Sequence, residues 1–264
     1  MSHVANERPR RPTLAAYGRA AALVTLFWWL ATGLIFMAQR QGVAAAVGST
    51  LSTLFAIGGL WWVRRTRNQL DARGATRNFL GGAAAWAWVS TVFLAGYVVG
   101  PPVTEPLAAP GTWAMALEAI HATLYSDVVG LLMLAAVALV TGHGANRVGL
   151  WTYMIFWGAQ QSAKLNIFFG VVNPGDGFFP PHLEFLVWYF GPRENQWLIV
   201  VSIVALSAGA WWSGRWALRA TNDYHRIGRA LLSTLLGLAA LEHVVLSLPL
   251  YLPLWDIFLE WRAR

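Results

Sequence analysis

Seven runs of roughly 20 mostly apolar residues, at 14–37, 43–63, 79–100, 113–140, 148–172, 197–218 and 230–250, occupy most of this chain of 264 residues. A helix rises ~1.5 Å per residue, so a run of that length covers the ~30 Å hydrocarbon layer of a bilayer. Lipid offers the backbone no hydrogen-bonding partner, so such runs must be helical. Charge agrees with this. Only 12% of the residues are charged, against about 25% in soluble domains. The expectation is an all-α, polytopic integral membrane protein with about seven transmembrane helices in a single transmembrane domain spanning 1–264. The chain has no cysteine, which removes disulfides, zinc–thiolate sites and cysteine nucleophiles.

The net charge of +7 is carried largely by arginines in short loops beside apolar runs, a placement that favours membrane orientation over nucleic-acid binding. Arg8, Arg10, Arg11 and Arg19 mark the first end. Arg64, Arg65, Arg67, Arg73 and Arg77 follow the second run, Arg147 follows the fourth, and Arg215, Arg219, Arg226 and Arg229 flank the last turn. Basic loops stay in the cytoplasm. The N-terminus, with a tail at 1–13, is therefore expected there, and the first run is expected to be retained because it is too long for a signal-peptide core. Trp61, Trp62, Trp211, Trp212 and Trp216 border arginine clusters, while Trp113, Trp197 and Trp255 fall near the opposite surface, as interfacial belts would. The outer loop, 173–196, is broken by Pro174, Gly175 and Gly177 and restarted by Pro180 and Pro181. An interfacial helix is expected at 182–190, with Phe185, Trp188 and Tyr189 on one face, acting as a lid or a docking surface. The C-terminal segment is 251–264.

Ionisable residues inside the apolar runs need a partner or a purpose. Lys164 is the only lysine; it lies in GAQQSAKLN with Asn166 two residues on. Glu118 and His121 share the fourth run, Glu242 and His243 the seventh. The helical rise places all of these in the outer half of the membrane. Asp127 lies nearly opposite Glu118 around its helix and nearer the middle. The expectation is an intramembrane polar cluster of Lys164, Asn166, Glu242, His243, Glu118 and His121, with Lys164 paired to Glu242 or Glu118. Plain structural glue is the alternative. Glu118-Ala-Ile-His121 has the spacing used by di-iron bundles, but with a single copy metal binding is disfavoured. No catalytic residue is assigned. Trp86, Trp88, Trp157 and Trp188 are the candidate contacts for a partner or a flat pigment, because aromatic faces stack on planar rings.

Several stretches carry a family resemblance: ANRVGLWTYMIFW at 145–157, SAKLNIFFGVVN at 162–173, FFPPHLEFL at 178–186, LEHVVLSLPL at 241–250 and LPLWDIFL at 252–259. In order and spacing the chain resembles the PuhE family, photosynthetic complex assembly protein 2 of purple phototrophic bacteria. It departs from that pattern where the family carries His-Glu pairs: here Val89-Ser90 follow Trp86-Ala-Trp88, and Ser126-Asp127 follow Tyr125. The resemblance implies a multi-pass protein of the bacterial inner membrane that assists assembly of the reaction centre and light-harvesting complex, or its bacteriochlorophyll supply. The implied partners, besides the lipid bilayer, are reaction-centre or light-harvesting subunits or pigment-synthesis enzymes. Bacteriochlorophyll is the one cofactor it points to. An intramembrane enzyme of bacteriochlorophyll metabolism, dependent on a metal or pigment, is the alternative; a non-catalytic factor is favoured.

Overall fold

The structure, a computed structural model, describes residues 14–39, 43–250 and 253–263. Its helices are α1 (Leu14–Ala38), α2 (Val43–Thr66), α3 (Ala72–Leu94), α4 (Trp113–Ala122), α5 (Leu124–Thr141), α6 (Val148–Phe169), α7 (Trp197–Arg219), α8 (Asp223–Ser247) and α9 (Asp256–Ala263). Short 3₁₀ turns cover Asp176–Phe178, Pro181–Tyr189 and Pro253–Trp255. Among the described residues there is no strand, so the chain is all-α. The tail at 1–13, the linker at 40–42 and positions 251, 252 and 264 lie outside the described residues.

Five helices, α1, α2, α5, α7 and α8, are long and apolar enough to cross a membrane. They expose large apolar side chains such as Phe55, Leu139, Trp197 and Val204, a pattern that suits lipid and not water. Of the two remaining long helices, α3 and α6, α3 sits at the centre of the bundle, packing on α1, α2, α5, α6 and α8. Twelve of its 23 residues are buried. Its buried face combines glycines and alanines with Asn78, Phe79, Trp86, Val89, Thr91 and Val92.

Close approach at the centre depends on missing side chains. A Cβ on Gly81 would meet the Gly59 carbonyl oxygen of α2 at 2.6 Å, and one on Gly82 would overlap the Gly149 backbone of α6. Small residues at helix crossings are how membrane helices gain packing without a hydrophobic drive. Two buried asparagines tie the same region. Asn78 donates to Val63 O (3.2 Å) and Thr66 Oγ1 (2.9 Å) and accepts from Gly149 N (2.6 Å). Asn146 donates through Nδ2 to the carbonyls of Thr66, Gln69 and Gly74, at 3.1, 3.2 and 3.1 Å. These contacts satisfy carbonyls in the turn between α2 and α3, whose N-cap Asp71 accepts from Gly74 N at 2.6 Å.

Three features differ from expectation. First, the run at 113–140 is two helices broken at Thr123. The Ser126 N–H, which would bond Ala122 in a continuous helix, instead donates to Val99 O at 3.0 Å. Gly100 packs directly on the Ala122 carbonyl, where no side chain would fit. The loop after α3 therefore wedges into the helix and replaces its hydrogen bond. Second, α3 begins at Ala72 and α8 at Asp223, each about two turns before the apolar run, because polar caps extend them. Third, Pro181–Tyr189 is 3₁₀, with three residues per turn. Leu183, Leu186 and Tyr189 consequently align on the buried face against α4, while Trp188 is exposed. Phe185 and Trp188 do pair, but Tyr189 points elsewhere, with its hydroxyl donating to Thr104 O at 3.0 Å. Burial raises the Tyr189 phenol above its ordinary range, and the nearby Glu118 charge adds to that.

The C-terminal segment folds back as a strap on α1. Trp29 Nε1 donates to Leu254 O (2.8 Å), Phe258 packs over Gly33, and Arg262 Nη1 donates to Gln39 Oε1 (2.8 Å) and Phe178 O (2.9 Å).

Candidate functional site

The polar residues singled out from sequence do not converge on one centre. Lys164 pairs with neither Glu242 nor Glu118. Its Nζ lies 2.7 and 2.8 Å from the two Asp127 carboxylate oxygens and 2.9 Å from Thr123 Oγ1. Gln161 Nε2 donates to Asp127 Oδ1 at 3.0 Å, and Thr123 Oγ1 to Oδ2 at 3.2 Å. The break at Thr123 explains the choice. It places Asp127 in the first turn of α5, where the helix dipole favours an anion, and frees the Thr123 side chain to face α6. The pair is mostly enclosed, with side-chain exposures of 16% and 19%. All three ammonium hydrogens have an acceptor, so it is a satisfied, mostly enclosed ion pair.

Asn166 and His243 meet in a second network that links α6, α7 and α8. His243 Nδ1 donates to Ala239 O (2.8 Å), and its Nε2 lies 3.0 Å from Ser162 Oγ. Ser162 and Ser202 hydroxyls are 3.0 Å apart, and Asn166 Nδ2 donates to Ser202 Oγ (2.9 Å) and Ser162 O (2.8 Å). Glu118 stands apart on α4, accepting from Leu107 N at 3.1 Å, and His121 is exposed. Among the described residues no three His, Asp or Glu side chains are placed to share an ion. The serines, Gln161 and Thr123 gave no signal in the sequence, being common helix residues. Asp127 gave one: a carboxylate deep in an apolar run must be paired.

Glu242 belongs to a third place. It lines a cavity of about 290 Å³ between α1, α3, α6 and α8. Trp28 Nε1 donates to its Oε1 at 2.6 Å. The walls combine aromatic rings (Phe27, Phe36, Trp86, Phe156) with alanines, and Gln160, Ser90 and Thr32 add polar atoms. Trp86 and Phe156 are nearly parallel, 10° between planes with centroids 6.2 Å apart. A second cavity of about 370 Å³ adjoins, between α1, α2 and α3, and shares Phe27, Ala31, Ile35 and Ala87 as walls. Trp255 of the strap packs edge-on to Trp28 (5.0 Å) and Phe36 (6.1 Å), and Phe178 stacks on Phe36 (5.4 Å). An aromatic cluster thus packs against Trp28 and Phe36, two of the residues that line the first cavity.

Of the four tryptophans expected to contact a pigment or partner, only Trp86 reaches this cavity. Trp88 donates to Thr53 Oγ1 at 2.8 Å, Trp157 packs over Gly130 with its N–H buried and without a partner among the described residues, and Trp188 lies exposed on the 3₁₀ segment.

Fold and site together define an all-α protein with five helices long and apolar enough to cross a membrane, two internal polar networks and an aromatic-walled cavity lined by one carboxylate. The chain belongs to the family described as Protein of unknown function (DUF3623), whose model matches residues 14–264. It is also 34% identical over 238 residues to an "Uncharacterized 30.4 kDa protein in puhA 5'region" of Rhodobacter capsulatus, a match covering 87% of this chain and 86% of that protein. No solved structure matches.

Proposed function

We propose that this protein is a membrane-embedded factor that assists assembly of the photosynthetic reaction centre and light-harvesting complex, or supplies bacteriochlorophyll to it, as a divergent PuhE-type protein. The observation that carries this reading is the near end-to-end relative, whose name gives its position as the puhA 5' region. Seven membrane crossings complete the reading: α1, α2, α3, the broken α4–α5 pair, α6, α7 and α8. The N-terminus is in the cytoplasm, and the membrane is the bacterial inner membrane. The arginines support that orientation: Arg64 and Arg65 close α2 and Arg219 closes α7, the ends that seven crossings from a cytoplasmic start would leave in the cytoplasm. The 3₁₀ segment and the strap then lie on the outer side as a lid.

The test is genetic and spectroscopic. Deleting the relative in Rhodobacter capsulatus is expected to lower the near-infrared bands of assembled complexes, and this chain is expected to restore them. Affinity purification from such cells is expected to carry along reaction-centre or antenna subunits, or pigment. Unchanged spectra after deletion would remove the proposal. Reporter fusions in successive loops test the seven crossings; two consecutive loops on one side would overturn the topology.

A further inference from the structure

A third cavity, of about 380 Å³, lies where α1, α3 and α8 begin. From α1 it takes Ala16, Arg19, Ala20 and Leu23, which share one helical stripe. Arg73 and Arg77, one turn apart on α3, and Ile227 and Leu231, one turn apart on α8, complete the lining with Ala72 and Thr76. The three helices pack on one another. Ala20 and Leu231 are part of their common buried core, and Leu23 and Ile227 pack against it. Arg19, Arg73 and Arg77 are exposed. The cavity thus has an apolar floor, fixed by packed helices, beneath a rim of three guanidinium groups.

No carboxylate lines this cavity. Among the described residues none of the three arginines makes a hydrogen bond or an ion pair. The acids adjoining these helix starts are engaged: Asp71 accepts from Gly74 N at 2.6 Å, and Asp223 pairs with Arg226 at 2.7 Å. The sequence before α1 brings Arg8, Arg10 and Arg11 against Glu7, so it adds no surplus of negative charge. The Thr76 hydroxyl donates to Ala72 O, which leaves the guanidinium groups as the side-chain donors for a ligand. Three helices also start at this end, and their dipoles add positive potential.

Guanidinium groups match the oxygens of a phosphate, and basic pockets between membrane helices suit anionic lipid heads. A free phosphate would use the arginines and leave the floor uncovered. A lipid covers both, because Leu23 and Leu231 lead from the rim into the apolar lengths of α1 and α8. We infer that this cavity binds a phospholipid of net negative charge, with its phosphate among Arg19, Arg73 and Arg77 and the start of its acyl chains on the floor between α1 and α8. The inference is independent of the assembly role: purified protein reports on the first, deletion spectra on the second.

The experiment is calorimetric titration of the purified full chain in an uncharged detergent. The probes are a short-chain phosphatidylglycerol, a phosphatidylcholine with the same chains, and inorganic phosphate. Phosphatidylglycerol is expected to saturate at one site per chain and to bind about tenfold tighter than phosphatidylcholine, whose ammonium faces the arginines. Inorganic phosphate is expected to show no saturation in the millimolar range. Arg73→Gln with Arg77→Gln is expected to weaken phosphatidylglycerol about thirtyfold, the effect of two arginines near a lipid head. Arg64→Gln with Arg65→Gln removes the same charge from exposed positions of α2 outside the cavity and is expected to change affinity less than about threefold. Ala72→Phe keeps every arginine, fills the cavity and is expected to weaken binding about tenfold, the cost of displacing the buried start of the acyl chains; Thr76→Phe repeats that test should Ala72→Phe fail to yield monodisperse protein. Phosphatidylcholine or inorganic phosphate binding as tightly as phosphatidylglycerol, equal losses from the two arginine pairs, or full binding by a folded cavity-filling variant would each overturn the assignment.

Discussion

Lys164→Met is expected to destabilise the protein by about 3 kcal/mol, at the low end of the cost of breaking a buried pair. The reasoning starts from geometry. Lys164 Nζ contacts both Asp127 oxygens and Thr123 Oγ1, so its removal strips Asp127 of its only ionic partner among the described residues. Asp127 is not left bare: it keeps Gln161 and Thr123 as donors and the favourable start of α5, which offsets part of the loss. Asp127→Leu is expected to cost less, about 2 kcal/mol, because an unpaired lysine carries its charge on a flexible stem that reaches toward water, whereas the carboxylate has a short one. The double variant is expected to recover to within about 1 kcal/mol of the parent, since an apolar pair replaces an ionic one without leaving a lone charge. Unfolding by sodium dodecyl sulfate in mixed micelles, followed by circular dichroism, reads all four proteins. A double variant as unstable as the worse single would refute the pairing.

Other expectations follow from the same structure. Asn146→Ala leaves the Thr66, Gln69 and Gly74 carbonyls without their side-chain donor and is expected to cost about 2–4 kcal/mol in the same unfolding assay. Gly82→Leu places a side chain where the Gly149 backbone lies and is expected to abolish monodisperse protein on size exclusion, while Gly237→Leu, at an open position, is tolerated. Arg262→Ala releases the strap from Gln39 and Phe178; because the chain has no native cysteine, Leu254→Cys would then react faster with a maleimide than in the parent background. Tyr153→Phe removes the buried hydroxyl that donates to Gly130 O at 2.7 Å and is expected to cost about 1 kcal/mol.

The all-helical architecture was legible in the sequence because a helix satisfies its own backbone, so a long apolar run suffices to call for one. The need of Lys164 for a partner was equally legible, since charge in lipid is costly wherever the fold places it. Its partner was not: Glu118, Glu242 and Asp127 all lay in apolar runs, and the decision came from Val99 and Gly100 wedging against the fourth run and turning Thr123 and Asp127 toward α6. In the same way Glu242 met Trp28, 214 positions away, and His243, its immediate neighbour, joined Ser162 and Ser202. Local propensity and hydropathy act along the chain and need no tertiary information. Which side chains share a hydrogen bond, and where four helices fail to fill the space between them, depends on contacts between distant segments, and only their packing decides it.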